Sequence, residues 1–306
     1  MVDLSVKIGK LKLKNPVMVA SGTFGMEYRP LVDVSRLGAI VAKTITLKPR
    51  TGNPPPRIAE TQGGMLNSIG LENKGLADFI KNKIPLFPKG KTALIVSIAG
   101  DNESEFTELA KRLNRIKTVG AIELNLSCPN VRHGTREGLI AQDANAVRSM
   151  VSAARKATSL TLIAKLSPNV ADISKIARAA EEAGADAVLL VNTFSAMAID
   201  IDTRRPKLGN ITGGLSGPAI KPIALKTVWD AYNKIDIPII GCGGIMDYKD
   251  AVEFMLCGAS AVQVGTATFV NPVASTEIID GIAKYMKKNK IDNIGKLVGS
   301  LNAGAL

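Results

Sequence analysis

The sequence predicts a (β/α)8 barrel, a ring of parallel strands with helices outside it, and three observations predict it. Short β-branched runs recur eight times, helical patterns separate them, and polar or small residues gather at one end of every run. The runs are PVMVA (16–20), AIVAKTIT (39–46), ALIVSIAG (93–100), AIELNLSC (121–128), TLIAKLS (161–167), AVLLVNT (187–193), IPIIGCGG (237–244) and SAVQVGTA (260–267). A doubly wound open sheet is the weaker alternative. No shift of composition marks a boundary, so residues 1–306 are expected to form one domain.

Between the third and fourth runs, Phe106, Leu109, Ala110, Leu113 and Ile116 recur at helical spacing. Between the fifth and sixth, Ile173, Ile176, Ala177 and Ala180 lie between a capping Asp172 and a terminating Gly184. The fourth run alternates. Ile122, Leu124 and Leu126 are expected to face the helices, and Glu123, Asn125 and Ser127 the barrel interior, where each polar group needs a partner. The ends of the runs carry Ser21 and Gly22, Lys43 and Thr44, Ser97, Asn125 and Cys128, Lys165, Asn192 and Thr193, Gly243 and Gly244, and Gly265 and Thr266. In this fold the carboxyl ends of the strands carry the active site. Any one of these ends is ordinary turn chemistry, but eight together, with two lysines inside apolar strands, point to a site.

The 306 residues, 46% of them hydrophobic, are ample for a large core. The longest uncharged stretch, Phe254 to Thr276, is interrupted by Gly258, Gln263, Gly265, Asn271 and Pro272 and makes a poor membrane span. The first residues, MVDLSVKIGKLKLK, lack the apolar core of a signal peptide, so a cytoplasmic protein is expected. Cys128, Cys242 and Cys257 have neither paired spacing nor the four-thiolate set of a zinc or iron–sulfur site, and no metal is expected. A formal charge of +12 raises nucleic acid as a partner, yet the lysines are scattered and only 4% of residues are aromatic, so solvated helix faces explain it better.

GCGGIMD (241–247) and VGTA (264–267) follow the seventh and eighth runs, where barrels often hold a phosphate on backbone N–H groups; a tight turn is the bland alternative. GNITGGLSGPAIKP (209–222) is a glycine-dense loop before a helix whose start suits an anion or a second wall of the site. Lys43 and Lys165 interrupt apolar strands. Each pairs with a carboxylate such as Glu123, faces a bound anion, or forms a Schiff base. GMLNSIGLEN (64–73), with NPPPR at 53–57, reads as a long connection offering the Asn67 amide and backbone N–H groups to a small polar ligand, or as a surface loop. Cys242 and Cys257 read as small buried hydrophobes. Cys128, at a strand's functional end before Pro129, reads as a nucleophile or general base. His133 lies five residues further on in a glycine-containing loop, which is no evidence of a dyad.

The order LKNPVMVASGTFG, KTITLKPRTGNPPPR, MLNSIGLENKG, ELNLSCPNV, KLSPNV, NTF, NITGGLSGPAIKP, GCGGI and VGTA covers nearly the whole chain and resembles the class 1 dihydroorotate dehydrogenases, FMN-containing barrels of pyrimidine biosynthesis. The NITGGLSGPAIKP segment resembles type 1B rather than the fumarate-using 1A form. The resemblance implies one FMN per chain and oxidation of dihydroorotate to orotate, with Cys128 removing the C5 proton and hydride passing from C6 to the flavin. It assigns Lys43, Asn67, Asn125, Asn130, Asn192 and Thr193 to the substrate, with backbone groups of Ser68, Ile69, Gly70 and Leu71. It assigns Lys43, Lys165, Asn125, Ser21, Thr44, Ser97, Val191, Gly217, Gly243, Gly244, Gly265 and Thr266 to the flavin, with Lys43 and Lys165 also counted as catalytic. It further implies a homodimer within a heterotetramer whose second subunit carries FAD and a [2Fe-2S] cluster and passes electrons to NAD+. A flavin barrel acting on dihydrouracil or a tRNA uridine, and a basic RNA-binding barrel without activity, are the alternatives.

Overall fold

The computed structural model describes residues 2–88, 90, 92–126, 140–302 and 304. Eight parallel strands, numbered β1 to β8 here, close into a barrel in chain order: Val17–Val19, Ala39–Ile45, Ala93–Ile98, Val119–Asn125, Thr161–Lys165, Ala187–Leu190, Ile239–Cys242 and Ala259–Val264. Each strand lies inside one of the expected runs or within two residues of it, and the expected tails of the runs form the connections beyond the strands. The (β/α)8 class read from the sequence is the observed one.

Alternation along the strands builds two cores. Met18, Ala20, Ala39, Val41, Ile95, Ala121, Ile163, Leu189, Ile240 and Ala261 pack inside the ring. Ile40, Val96, Ile122, Leu124, Leu162, Val188 and Val262 point outward, into the layer shared with the helices. Ile122, Leu124 and Leu126 are therefore where the sequence puts them, facing the helices. An N-terminal hairpin of Val6–Ile8 and Leu11–Leu13 covers one end of the interior: Ile8 and Leu13 join the inner core, and the Lys10 backbone N–H donates to Thr161 Oγ1 at 3.0 Å.

The principal outer helices are α1 (Glu103–Leu113), α2 (Ala144–Ala157), α3 (Ile173–Glu182), α4 (Lys221–Tyr232), α5 (Tyr248–Leu256) and α6 (Ala274–Lys288). Four of them start on side-chain caps, from Asn102, Asp143, Asp172 and Asp247, each of which accepts a backbone N–H of the first turn. Asp172 is the cap expected from the sequence, and Gly184 follows the helix with φ +95°. Ile116 lies past the end of α1, in a turn that bonds back to the Leu113 carbonyl.

A four-stranded antiparallel sheet, absent from the sequence reading, joins the connection after β2 to the one after β6, in the order Phe194–Met197, Thr212–Ser216, Gly64–Asn67, Ile58–Thr61. The two segments expected as loops, 64–73 and 209–222, thus each contribute a strand. Pairing explains why a glycine-rich stretch becomes one: a Cβ on Gly213 would lie 2.6 Å from the Asn67 carbonyl oxygen, and one on Gly214 would collide with the Thr193 side chain. Glycine here lets strands approach rather than turn.

Candidate active site

The carboxyl ends of the barrel strands and the antiparallel sheet enclose one pocket. Its floor is formed by Ala20, Asn125, Lys165 and Cys242, and Ile58, Met65 and Asn67 reach it from the sheet. Lys43, Asn192, Thr193 and Phe269 complete the wall.

The rim is tied together by hydroxyls and amides. Ser21 Oγ donates to the Ala42 carbonyl at 2.9 Å and receives the Thr44 N–H at 3.0 Å. Thr44 Oγ1 lies 2.9 Å from Ser97 Oγ and accepts from Asn125 Nδ2 at 3.2 Å. Asn192 Nδ2 in turn donates to Asn125 Oδ1 at 3.3 Å, and Asn192 Oδ1 accepts the Thr193 N–H at 2.8 Å. These side chains follow or end five different strands, so the network fixes their geometry before any ligand arrives.

Beside the network lies Lys165 and one rung deeper Glu123, the two charged side chains that are buried among the described residues, at 7% and 0% exposure. Pairing between them, one of the options left open by the sequence, is not what forms. Glu123 Oε2 accepts from Gln263 Nε2 at 2.8 Å across the barrel, and no hydrogen bond or ion pair holds Lys165 among the described residues. A buried ammonium that no described residue hydrogen-bonds or ion-pairs with is a position suited to an anion or an electron-rich ligand. Cys242 sits beside it: burial pushes its thiol pKa up, Lys165 pulls it down and Glu123 pushes it up again.

Two glycine turns meet on the wall of the pocket. Gly217 (φ +100°) precedes α4 and Gly244 (φ +77°) follows β7; a Cβ on Gly244 would lie 2.9 Å from both the Gly217 carbonyl oxygen and the Lys221 N. Backbone this close, in conformations other residues disfavour, leaves N–H groups open to a phosphate. The two turns are locked from behind by Lys221, whose Nζ bonds Asp250 Oδ1 at 2.6 Å and Glu253 Oε2 at 2.9 Å. Asp250 Oδ2 also receives the Met246 and Asp247 N–H groups. Burial pushes the Asp250 pKa up, but the Lys221 ammonium and those two N–H groups outweigh it and hold the carboxyl below its usual value.

The pocket brings together Ser21, Lys43, Thr44, Asn67, Ile69, Gly70, Leu71, Asn125, Lys165, Val191, Asn192, Thr193, Gly217, Gly243, Gly244, Gly265 and Thr266, all singled out from the sequence. Two others stand one layer back. Ser97 is buried behind Thr44. Ser68 is buried with its N–H donated to the Arg57 carbonyl and its Oγ accepting from Asn53 Nδ2. Cys128 and Asn130 lie outside the described residues, as does His133. Sequence reasoning passed over Met65, Ser216, Met246 and Phe269 on the wall and Gln263 beneath it. A glutamine inside the apolar run SAVQVG was a readable signal for the last; the others come from the sheet and from backbone shape, which no local pattern announces.

A parallel barrel whose basic, amide-lined pocket and glycine turns lie at the carboxyl ends of its strands places its site where barrel enzymes place theirs. The family model described as dihydroorotate dehydrogenase matches residues 3–286, and the chain belongs to that family. A relative from Trichlorobacter lovleyi, named dihydroorotate dehydrogenase B (NAD(+)), catalytic subunit, is 52% identical over 301 residues, 97% of this chain and 98% of the relative. One of the same name from Desulforamulus reducens is 51% identical over 301 residues, 98% of each chain. Among solved structures, that of the Eimeria tenella enzyme in complex with ferulenol superposes with a TM-score of 0.79 at 26% identity, covering 99% of this chain and 89% of the other. Among the described residues, no helix is long and apolar enough to cross a membrane.

Proposed function

We propose that this chain is the catalytic subunit of an NAD+-linked dihydroorotate dehydrogenase, oxidising dihydroorotate to orotate in pyrimidine biosynthesis on one FMN per chain. The observation that carries the reading is the presence, in one pocket, of a buried ammonium that no described residue pairs with and of a glycine cradle. The donor set fits a flavin mononucleotide. Gly217, Gly243, Gly244, Gly265 and Thr266 offer backbone N–H groups for its phosphate, while Ser21, Thr44, Val191 and Lys165 border the space left for its ring, with Ser97 supporting Thr44 from behind.

When bound, the flavin supplies an acceptor for two electrons at neutral pH, a chemistry no side chain offers. The chain's own groups do the rest. Asn67, Asn125, Asn192 and Thr193 present amide and hydroxyl groups suited to the edges of a pyrimidine ring, with the backbone of Ile69 to Leu71 alongside and Asn130 assigned there by its motif. Lys43 supplies a positive charge for the substrate's carboxylate, and Lys165 a positive charge where electrons accumulate. Cys128 is the base that takes the C5 proton, acidified by the neighbouring carbonyl.

Residues 1–306 act as one catalytic domain in the cytoplasm, as a homodimer within a heterotetramer; the second subunit holds FAD and a [2Fe-2S] cluster through which electrons reach NAD+. The test is direct. The purified chain supplied with FMN turns yellow, and dihydroorotate bleaches it under anaerobic conditions while dihydrouracil, which lacks the carboxylate, does not. A chain that takes up no FMN, or that is bleached equally by both compounds, overturns the assignment.

A further inference from the structure

The two buried charges lie in the same interior. Glu123 on β4 and Lys165 on β5 sit on adjacent strands: Asn125 is in register with Lys165, and Glu123 is two residues before Asn125, one inward-facing rung further from the rim. Gln263 of β8 reaches Glu123 from the opposite side of the ring and is itself in register with Cys242 of β7. Lys165 and Cys242 line the pocket, whereas Glu123 and Gln263 do not reach it. The interior is thus layered, with a carboxylate held by an amide below and an ammonium and a thiol above. Glu123 Oε1 and Gln263 Oε1 are both buried with no hydrogen-bond donor among the described residues. Such an arrangement is costly. A carboxylate in apolar surroundings is retained against a desolvation penalty that a methionine or leucine would avoid.

We propose that Glu123 is a positioning residue that sets the electrostatic potential of the pocket floor, offsetting part of the positive charge Lys165 presents and so holding down the preference of the site for a reduced over an oxidised ring. The inference rests on the flavin reading above. Glu123 touches no ligand; it acts through the field it shares with Lys165, in a region of low dielectric where charges are weakly screened. Its hydrogen bond goes to Gln263 and no ion pair joins it to Lys165 among the described residues, so the ammonium stays available to the ligand. Reduction adds negative charge to the ring. Neutralising Glu123 therefore favours the reduced form.

Three variants decide it. In Glu123→Gln the side chain keeps its shape and its amide still accepts from Gln263 Nε2. The FMN-loaded variant is expected to have a more positive two-electron midpoint potential than wild type in anaerobic dye-coupled titration. Its affinity for reduced relative to oxidised FMN is expected to rise at least threefold. Glu123→Met, which needs no buried partner, is expected to give the same rise and keeps the test intact should the amide variant fold poorly. Glu123→Asp retains the charge but is too short for the Gln263 bond. It is expected to stay near the wild-type potential, whereas a purely structural role for Glu123 would make it behave like the other two. A midpoint that is unchanged or more negative in Glu123→Gln and Glu123→Met, with FMN bound stoichiometrically, overturns this inference alone. A wild-type chain that binds no FMN overturns the flavin reading and this inference with it.

Discussion

Asn125 Nδ2 donates to Thr44 Oγ1 at 3.2 Å, and through that one contact the fourth strand of the barrel is held to the second across the third. The same hydroxyl lies 2.9 Å from Ser97 Oγ and 3.1 Å from Ser21 Oγ. Thr44→Val keeps the volume and removes the oxygen, leaving buried donors and acceptors without a partner. It is expected to lower stability by about 1–3 kcal/mol, read as a shift in the denaturation midpoint. It is also expected to weaken ligand binding, because Asn125 loses the contact that orients its amide.

Lys165 presents its ammonium to the pocket with no competing ion pair among the described residues. Lys165→Met keeps the stem and discards the charge. The rate of flavin reduction by dihydroorotate is expected to fall by roughly 10²-fold or more, the size of loss seen when a donor to developing negative charge is removed. Anaerobic stopped-flow absorbance on enzyme with FMN bound measures it. A fall of less than threefold would place the lysine's role elsewhere.

How far the sequence anticipated all this depends on the range of the information needed. Alternation within a strand is local, so Ile122 and Leu124 against Glu123 and Asn125 could be assigned to faces before any coordinates. The carboxyl-end rule then gathered Lys43, Lys165, Asn192 and the glycines into one place. What stayed hidden is non-local. The partner of Glu123 is Gln263, 140 residues away, and nothing near either residue names the other. The strand character of 212–216 depends on neighbours at 64–67 and 194–197 supplying its hydrogen bonds, so a glycine-dense stretch that reads as loop in isolation is sheet in context. Ser97 stands at its expected strand end, buried behind Thr44, because sequence tells which face a residue takes and not which neighbour covers it.

The Asp250 carboxyl predicts an acid dependence. Its folded pKa is depressed, so its contribution to stability is complete above the unfolded value near ~3.9 and is lost as pH falls through the folded one. Asp250→Asn is expected to cost about 1–2 kcal/mol at neutral pH. The difference in Tm between wild type and variant is expected to be constant from pH 7 to 5 and to shrink below about pH 4. Calorimetry across that range checks both. A difference that grew on acidification would contradict the sign.

Cys128 carries the proton transfer in the proposed reaction, and its exchange for serine raises the pKa of the acceptor while leaving the cradle untouched. Cys128→Ser is expected to bind FMN as wild type does and to reduce it about 10²–10⁴-fold more slowly at neutral pH. The wild-type rate is expected to rise with pH through a thiol ionisation near ~8.5, an inflection the serine variant lacks. Equal rates for the two proteins would remove the cysteine from the role of base.

Gly244 makes the sharpest steric demand among the cradle glycines, and a matched glycine elsewhere isolates it. At φ +77°, an added Cβ meets Lys221 Cβ at 2.7 Å and the Gly217 carbonyl oxygen at 2.9 Å, so Gly244→Ala must pry apart the two turns that form the cradle. Gly90 has φ +80° and nothing within 4 Å of its added Cβ, so Gly90→Ala carries the backbone strain alone, about 1 kcal/mol. Both variants are expected to lose that much stability, and Gly244→Ala more. Only Gly244→Ala is expected to weaken FMN binding, by tenfold or more in a fluorescence-quenching titration of the apoprotein. Free riboflavin, lacking the phosphate, is expected to bind both variants alike. An equal loss for riboflavin and FMN in Gly244→Ala would mean that the substitution deforms the whole pocket, and that the cradle is not where the phosphate rests.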